Sequence, residues 1–393
     1  MADQLHQIDQ SYDRQIGLLK RNVTLMLEER AAGSGKSDNA QPAPIWLETL
    51  SVFNYMINLS ADDFRQIRYH TSLITGESIL TYWHQYPPFE PELFARNIGY
   101  EFYTRDVPKK YQLGEPAAEA LPRPLGVEYQ GRVLNGNISR YQSCVSNLYS
   151  MGILDSLSEK AGRCLALEIG GGYGGLAHGL GNILAGNTTY IILDLPEMLL
   201  FSGGYLILNN PKKKIYIYEP ATFTADFLKS GIYNYDYVLL PNFILGSLYQ
   251  ISHIDLMINM QSFQEMSKEQ IAEYLDFGHA RLTGYLYNDN IDKHPFNENL
   301  APATVTSLLD SRFSLFPSPE FFDRHLSSSP WPYRQYVGVA KDREITFPKQ
   351  GPLRIIDQST RYRVFKENSS VRVETERDIM KCLMAYARKL IRR

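Results

Sequence analysis

A glycine-rich segment, Glu168–Gly175, carries the residue types that most clearly indicate ligand binding in this sequence. Gly170, Gly172 and Gly174 follow an apolar run, Tyr173 stands among them, and an apolar pattern with helical spacing comes next. Glycine tolerates the positive φ of tight turns and lets a ligand approach the main chain closely. The start of the following helix offers free N–H groups and the positive end of a dipole. The spacing therefore predicts a strand, a ligand-binding loop and a helix, in that order.

Two carboxylates, Glu168 and Asp194, distinguish between the ligands that such a loop could hold. The glycines also satisfy the G-x-G-x-x-G dinucleotide pattern, so an NAD(P)-dependent Rossmann oxidoreductase is an alternative. Glu168, two residues before Gly170, would repel a pyrophosphate but would pair with the ammonium group of an amino-acid ligand. Asp194 closes the next apolar run, where a carboxylate can accept both hydroxyls of a ribose. S-adenosylmethionine has both an amino-acid end and an unmodified ribose, and the pair of carboxylates favours it.

Polar residues cluster at the ends of two later apolar runs, Leu256–Met260 and Leu282–Tyr287. Because ligands in open α/β sheets bind at the carboxyl ends of the strands, we expect these residues to line the acceptor side of the site. Ser262 and Glu265 also fit a helix capping box, which leaves a structural role open for both. The first cluster comprises Asn259, Gln261, Ser262, Gln264 and Glu265, and the second comprises Asn288, Asp289, Asn290, Asp292 and His294.

His294 is the candidate catalytic base. An alcohol is a poor nucleophile until its proton is being removed, and a positioned base contributes roughly a hundredfold or more. A neutral imidazole can accept that proton near pH 7, and Asp289 or Glu265 would orient it. An ordinary loop histidine is the alternative. In a metal-assisted variant of this mechanism, Asp289, Asp292 and Glu265 would hold Mg²⁺. The short D-N-x-D spacing is unspecific, and we expect no metal site.

Several blocks of the sequence resemble known enzymes. Glu168-x-Gly170-x-Gly172-x-Gly174, followed by Asp194, resembles the first two motifs of class I S-adenosylmethionine-dependent methyltransferases, over about residues 135–340. Four segments, LEIGGGYGGLA, IILDLPE, INMQSFQEM and YNDNIDKHPFN, together resemble the sugar O-methyltransferase family. The resemblance implies methyl transfer to a hydroxyl of a sugar or of another polyhydroxylated or glycosylated small molecule. A methyltransferase acting on nitrogen or carbon of a natural-product scaffold is the alternative.

The same resemblance implies roles for individual residues. The adenine would lie near Leu195 and Asn242, and Arg140 or Tyr141 would reach the methionine carboxylate, although a surface arginine and a core tyrosine are equally open. The expected cofactor-binding residues are Glu168, Gly170, Gly172, Tyr173, Gly174, Asp194, Leu195, Asn242, Gln261 and Arg140. The expected substrate-binding residues are Gln264, Asn288 and Tyr141, and the expected catalytic residues are His294, Asp289 and Glu265.

The elements that must position these residues follow an alternating pattern. Continuous apolar runs with helical segments between them are typical of parallel strands buried on both faces. Phe313–Phe316 and Tyr333–Ala340 lack a helix between them and predict an antiparallel hairpin. The resemblance implies a Rossmann-like sheet of seven strands. Two runs, Ile215–Tyr218 and Tyr237–Leu240, compete for one place in the order of these strands, and the choice between them stays open. The other predicted strands are Cys164–Ile169, Tyr190–Leu193, Leu256–Met260 and Leu282–Tyr287.

Three regions are expected along the chain. Residues 1–130 form a mainly helical N-terminal region, with a flexible linker at about 32–44 that is rich in Ala, Gly, Ser and Pro. Residues 131–345 form the methyltransferase domain. Residues 346–393 form a C-terminal extension, with a basic helix over Glu374–Arg393 that could serve a homo-oligomer contact.

Composition limits the partners. The 393 residues include 40 Lys and Arg against 43 Asp and Glu, a net charge of −3, which favours neither nucleic acid nor an anionic membrane surface. No run of about 18 apolar residues predicts a membrane span. The three cysteines are far apart, which argues against disulfides and structural zinc. We therefore expect a cytoplasmic enzyme that acts on a small-molecule acceptor.

Overall fold

The computed structural model describes residues 2–33, 41–47, 49–76, 82, 89–116, 125–294, 297–318, 333–343, 347–348, 363–367 and 370–374. Eight strands form its central sheet: β1 (Cys164–Ile169), β2 (Thr188–Asp194), β3 (Ile215–Ile217), β4 (Tyr237–Pro241), β5 (Ile254–Met260), β6 (Leu282–Ile291), β7 (Phe313–Pro317) and β8 (Tyr333–Ala340). Their order across the sheet is β3-β4-β2-β1-β5-β6-β8-β7. The first six strands are parallel, and β8 is antiparallel to both β6 and β7.

The predicted α/β class and the antiparallel hairpin are confirmed, whereas the predicted count of seven strands is one too low. The runs at Ile215–Tyr218 and Tyr237–Leu240 both form strands of the sheet. β4 pairs with β2, and the short β3 pairs with the outer side of β4. Every residue of β1 and β2 is buried, as expected for parallel strands covered on both faces.

One long helix, α1 (Ala2–Ala31), lies in the N-terminal region, and the described α-helices after residue 135 are α2 (Gly136–Ser150), α3 (Ile153–Glu159), α4 (Gly175–Ile183), α5 (Pro196–Asn209), α6 (Ala225–Lys229), α7 (Lys268–Arg281) and α8 (Val305–Asp310). Short α-helical turns occupy Pro44–Leu47, Ala61–Phe64, Ile67–His70, Ser72–Thr75, Pro91–Asn97 and Tyr100–Thr104. The 3₁₀ segments are Leu50–Asn58, Lys109–Tyr111, Gly231–Asn234, Asn242–Gln250, Phe263–Glu265 and Glu298–Leu300. A small hairpin, Val127–Tyr129 with Arg132–Leu134, precedes α2.

The N-terminal region packs directly on the sheet domain through α1. Ile16, Leu19, Val23 and Met26 recur every three or four residues and are fully buried, which is the pattern of a helix with one apolar face. A Cβ atom at Gly203 of α5 would lie against the side chain of Leu19, so the two helices approach closely. The predicted boundary near residue 130 remains a prediction.

A buried ion pair, Arg68 with Glu115, holds a second part of the N-terminal region. The guanidinium donates to the carboxylate at 2.8 and 3.2 Å and to the Thr71 hydroxyl at 2.6 Å. Asn135 donates to the same carboxylate at 2.8 Å. Because each polar group finds a partner, this pair can be buried where an isolated charge could not.

Two of the predicted segments fall mainly outside the described residues. Only the two ends of the linker at 32–44 are described. In the C-terminal extension, Arg363–Glu367 and Ser370–Glu374 form an antiparallel hairpin, and the predicted basic helix after Glu374 lies outside the described residues. None of the described helices is both long and apolar enough to span a membrane.

Candidate functional site

A cleft opens at the carboxyl ends of β1, β2, β4 and β5. Its floor is the loop after β1, and residues of the N-terminal region contribute to its wall. The lining residues from the sheet domain include Arg140, Tyr141, Glu168, Gly170, Gly171, Gly172, Tyr173, Asp194, Leu195, Met198, Asn242, Met260, Gln261, Ser262, Glu265, Met266, Gln270 and Tyr274, and those from the N-terminal region are Gln41, Ala43, Trp46, Ile74 and Thr75.

The loop after β1 requires glycine at Gly170 for two reasons. Its φ of +72° lies in the left-handed region, and a Cβ atom there would overlap the side chain of Ser262. The main chain of the loop is fixed by a hydrogen bond from Gly170 N to Leu193 O at 2.9 Å. Gly174, at φ +85°, serves as the N-cap of α4 and is not among the residues that line the cleft.

Glu168 places a buried carboxyl group at the floor of the cleft. The Tyr190 hydroxyl donates to Glu168 Oε2 at 3.0 Å, and the side chain is only 3% exposed. Burial raises the pKa of Glu168 to about 8, with the Tyr190 hydrogen bond opposing the shift. Within the described part of the chain no cation pairs with Glu168. A ligand ammonium group would offset the cost of burying this charge.

Asp194 lies at the end of β2, next to β1. Its Oδ2 accepts from Gly172 N at 3.0 Å and its Oδ1 accepts from Leu195 N at 2.7 Å. Burial raises the pKa of Asp194 to about 7, and these main-chain hydrogen bonds counteract the shift. A carboxylate has about four lone-pair directions, so these main-chain donors leave acceptor capacity for a ligand hydroxyl group.

Gln261 follows β5 in an unusual backbone conformation. Its φ of +61° is in the left-handed region, although glutamine carries a Cβ atom, and this conformation costs on the order of 1 kcal/mol. Gln261 N donates to Asp289 O at 2.8 Å, which fixes the turn. The side-chain amide lines the cleft and has no hydrogen-bond partner among the residues that the structure describes.

Arg140 supplies the positive charge in the cleft. It projects from α2, and among the described lining residues it is the only lysine, arginine or histidine. None of the described carboxylates forms an ion pair with it. Its neighbour Tyr141 also lines the cleft, and burial raises the pKa of the Tyr141 phenol to about 12.

The N-terminal region closes one side of the cleft through two hydrogen bonds. Trp46 Nε1 donates to Glu265 Oε2 at 2.9 Å, and Gln270 Nε2 donates to the carbonyl oxygen of Gln41 at 2.9 Å. Sequence reasoning missed Gln41 and Trp46 as site residues because their region carries no motif. Burial raises the pKa of Glu265 to about 7.

The capping box that the sequence left open at Ser262 and Glu265 is not formed. Ser262 instead accepts from the Asn259 amide and donates to Ile169 O at 3.1 Å, which ties β5 to the end of β1. The capping box that starts α7 uses Ser267 and Gln270.

Five of the predicted site residues, Gly174, Gln264, Asn288, Asp289 and His294, do not line the cleft. Gln264 Oε1 accepts from Ile291 N at 2.7 Å, and Asn288 Oδ1 accepts from Asn290 at 2.7 Å. The Gln335 amide donates to Asp289 Oδ2 at 3.1 Å. The hydrogen bond between Asn288 and Asn290 lies within β6, whereas the other two connect β6 to its neighbours. Together they account for much of the polar clustering.

His294 is half-buried, and burial lowers the pKa of its imidazole. Among the described residues, no three acidic, histidine or cysteine side chains are grouped to hold a metal ion, and Asp289, Asp292 and Glu265 are no exception. Asp292 Oδ1 accepts from Thr306 N at 2.8 Å instead.

Comparison with models of protein families gives no match, and no curated protein matches the sequence. Solved structures do match. TrmN from Thermus thermophilus is 14% identical, with a TM-score of 0.28 over 48% of this chain and 48% of TrmN, so the chain spans about half of its length. The magnesium protoporphyrin IX methyltransferase ChlM from Synechocystis PCC 6803, solved with bound SAM, is 12% identical, with a TM-score of 0.32 over 65% of this chain and 100% of ChlM.

The N-terminal domain of EvdMO1, solved in the presence of SAH and D-fucose, is 12% identical, with a TM-score of 0.32 over 56% of this chain and 92% of that one. Likeness at this level does not transfer a function from one chain to another.

Charge is unevenly distributed in the cleft. The described lining has three buried or half-buried carboxyl groups, Glu168, Asp194 and Glu265, against the single guanidinium of Arg140. Such a lining attracts a ligand that carries more positive than negative charge, together with hydroxyl groups.

Proposed function

We propose that the chain is an S-adenosylmethionine-dependent methyltransferase that transfers the methyl group to a hydroxyl of a sugar or of another polyhydroxylated or glycosylated small molecule. One observation carries the proposal: Glu168 and Asp194 end adjacent parallel strands, with the glycine loop between them. The amino-acid and ribose ends of this ligand need the two carboxyl groups that this arrangement offers.

The residues present fit the ligand. Glu168 would accept the ammonium group, Arg140 would pair with the methionine carboxylate, and Asp194 would accept the ribose hydroxyls. Leu195 and Asn242 would enclose the adenine. When bound, S-adenosylmethionine supplies an electrophilic methyl group on a sulfonium. Gly170, Gly172, Tyr173 and Gln261 would form the wall around the methionine part.

An NAD(P)-dependent oxidoreductase is the competing function, and the charge of the cleft disfavours it. A pyrophosphate carries two negative charges, whereas Glu168 and Asp194 place two carboxyl groups beside the loop that would have to bind it. A P-loop or dinucleotide loop instead presents free N–H groups and positive charge to phosphate.

The choice of a hydroxyl acceptor rests on the resemblance of the four sequence segments to sugar O-methyltransferases. The cofactor site would be shared by enzymes that methylate nitrogen or carbon, so acceptor chemistry needs its own experiment. Mass spectrometry of cell extracts incubated with the protein and methyl-labelled cofactor would identify the labelled product. A product labelled on nitrogen or carbon would overturn this part of the proposal.

Calorimetric titration tests the cofactor assignment. We expect S-adenosylhomocysteine to bind in the micromolar range and NAD not to bind. Asp194→Ala should weaken S-adenosylhomocysteine at least tenfold, because it removes the acceptor for the ribose hydroxyls. Binding of NAD without binding of S-adenosylhomocysteine would overturn the proposal.

A further inference from the structure

Glu265 is a carboxyl group in the cleft that the cofactor assignment leaves without a ligand partner. Its Oε2 accepts from Trp46 Nε1 at 2.9 Å, and no hydrogen bond to its Oε1 is formed by the described residues. No lysine, arginine or histidine of the described ranges pairs with it. One oxygen is thus held by the N-terminal region, and the other remains available to a bound molecule.

The sheet order places Glu265 relative to the proposed cofactor. Asp194 is the last residue of β2 and Asn242 follows β4, and both strands lie on one side of β1. Glu265 follows β5, which lies on the other side of β1. If the ribose is at Asp194 and the adenine extends toward Asn242, the reacting end of the ligand is directed toward β5.

We propose that Glu265 faces the transferred methyl group and receives the proton of the acceptor hydroxyl, and that Trp46 is a positioning residue that holds the Glu265 carboxylate. This inference rests on the proposed function and assigns to Glu265 the role that the sequence suggested for His294. The acceptor oxygen forms its bond to the methyl carbon while the bond from that carbon to sulfur breaks, and the electron pair stays on sulfur. The acceptor O–H bond breaks, and its proton passes to Glu265 Oε1.

The surroundings of Glu265 suit this role. Burial raises the pKa of Glu265 to about 7, which matches a proton acceptor that works near neutral pH. The hydrogen bond from Trp46 opposes this rise in pKa, so that a fraction of the protein molecules carries an ionised Glu265. His294 does not line the cleft, and among the described lining residues there is no other histidine or lysine.

The test compares two ligands that differ at the reacting position. Sinefungin carries an amine-bearing carbon where S-adenosylmethionine carries its sulfonium methyl group, and S-adenosylhomocysteine carries only a thioether. If Glu265 faces that position, Glu265→Gln should weaken sinefungin about tenfold or more, because a charge-assisted hydrogen bond is lost. Binding of S-adenosylhomocysteine should change less than about threefold, which also shows that the variant folds.

Glu269→Gln is the matched control, since Glu269 lies four residues after Glu265, in the first turn of α7, with its side chain 50% exposed, and it should affect neither ligand. Trp46→Phe removes the N–H group that donates to Glu265. It should weaken sinefungin relative to S-adenosylhomocysteine by a smaller factor than Glu265→Gln does. If Glu265→Gln loses affinity for both ligands equally, Glu265 belongs to the cofactor site. If it loses affinity for neither, Glu265 does not face the reacting position. Each of these results overturns the inference. If the unaltered protein binds neither ligand, the proposed function fails as well.

Discussion

The guanidinium carbon of Arg68 lies 4.1 Å from the centre of the Tyr173 ring, so a side chain of the N-terminal region covers the glycine loop. The same guanidinium pairs with the buried Glu115. Arg68 thus connects the fold of the N-terminal region to the floor of the cleft.

Loss of the ion pair between Arg68 and Glu115 should lower the stability of the fold. Arg68→Met leaves the Glu115 carboxylate buried without its cation, and we expect the free energy of unfolding to fall by about 3–5 kcal/mol. Urea denaturation measures this. Arg65→Met is the control: the Arg65 guanidinium lies 4.3 Å from the Tyr12 ring, but the side chain is 29% exposed, and the loss should stay below about 1 kcal/mol. Equal losses would contradict the role given to the buried pair.

Gly170→Ala should lower affinity for S-adenosylhomocysteine by at least about tenfold, because the added Cβ atom overlaps Ser262 and displaces the loop. Gly162→Ala is the control that adds backbone strain without atomic overlap, because Gly162 has a φ of +87° but open space around a Cβ atom. It should lower the melting temperature without changing ligand affinity. Replacing Ser262 by Gly in the Gly170→Ala background should restore part of the affinity, and titration calorimetry follows all three variants.

The pKa of Glu168 predicts how the stability of the ligand-free protein depends on pH. The unfolded chain loses this proton near its ordinary pKa of 4.5, whereas the folded protein keeps it up to about pH 8. Between these values the folded state binds more protons, so the free energy of unfolding should fall as pH rises. Glu168→Gln should flatten this dependence, and Glu159→Gln, at an exposed position, should not. Unfolding curves at pH 5, 6, 7 and 8 measure the slopes, and parallel slopes in all three proteins would refute the assignment.

Arg140 should recognise the carboxylate of the ligand and not its nucleoside. Arg140→Met should weaken S-adenosylhomocysteine about tenfold or more, because a charge-assisted hydrogen bond is lost. It should leave 5′-methylthioadenosine, which lacks the amino-acid part, nearly unchanged. Arg105→Met, at a side chain that is 64% exposed, is the control. A similar loss for both ligands would indicate that Arg140 supports the cleft as a whole.

The parts of this structure that sequence reasoning predicted depend on neighbouring residues. Glu168, the glycines after it and Asp194 lie within one strand–loop–helix–strand unit, and the position of both carboxylates at one cleft follows from that local order. The continuous apolar runs likewise predicted strands buried on both faces, and these strands form the sheet.

The parts that it missed depend on contacts between distant residues. Trp46 meets Glu265 across 219 positions of sequence, and nothing near Trp46 indicates that contact. Asn288 and Gln264 looked like ligand-binding residues, because a polar group at a strand end has the same sequence signature whether it binds a ligand or a neighbouring strand. The hydrogen bonds that distinguish the two roles, such as Gln264 to Ile291, form only when β5 and β6 lie side by side.

The contact between Leu19 and Gly203 also bears on how the chain is made. The two positions are separated by roughly 180 residues. At about 5–20 residues per second, a ribosome needs about 10–40 seconds to reach α5 after Leu19 has been added. During that interval the part of α1 that packs on α5 lacks this native partner, and chaperones or the growing chain itself can bind it. The contact between α1 and α5 therefore forms only after α5 has been made.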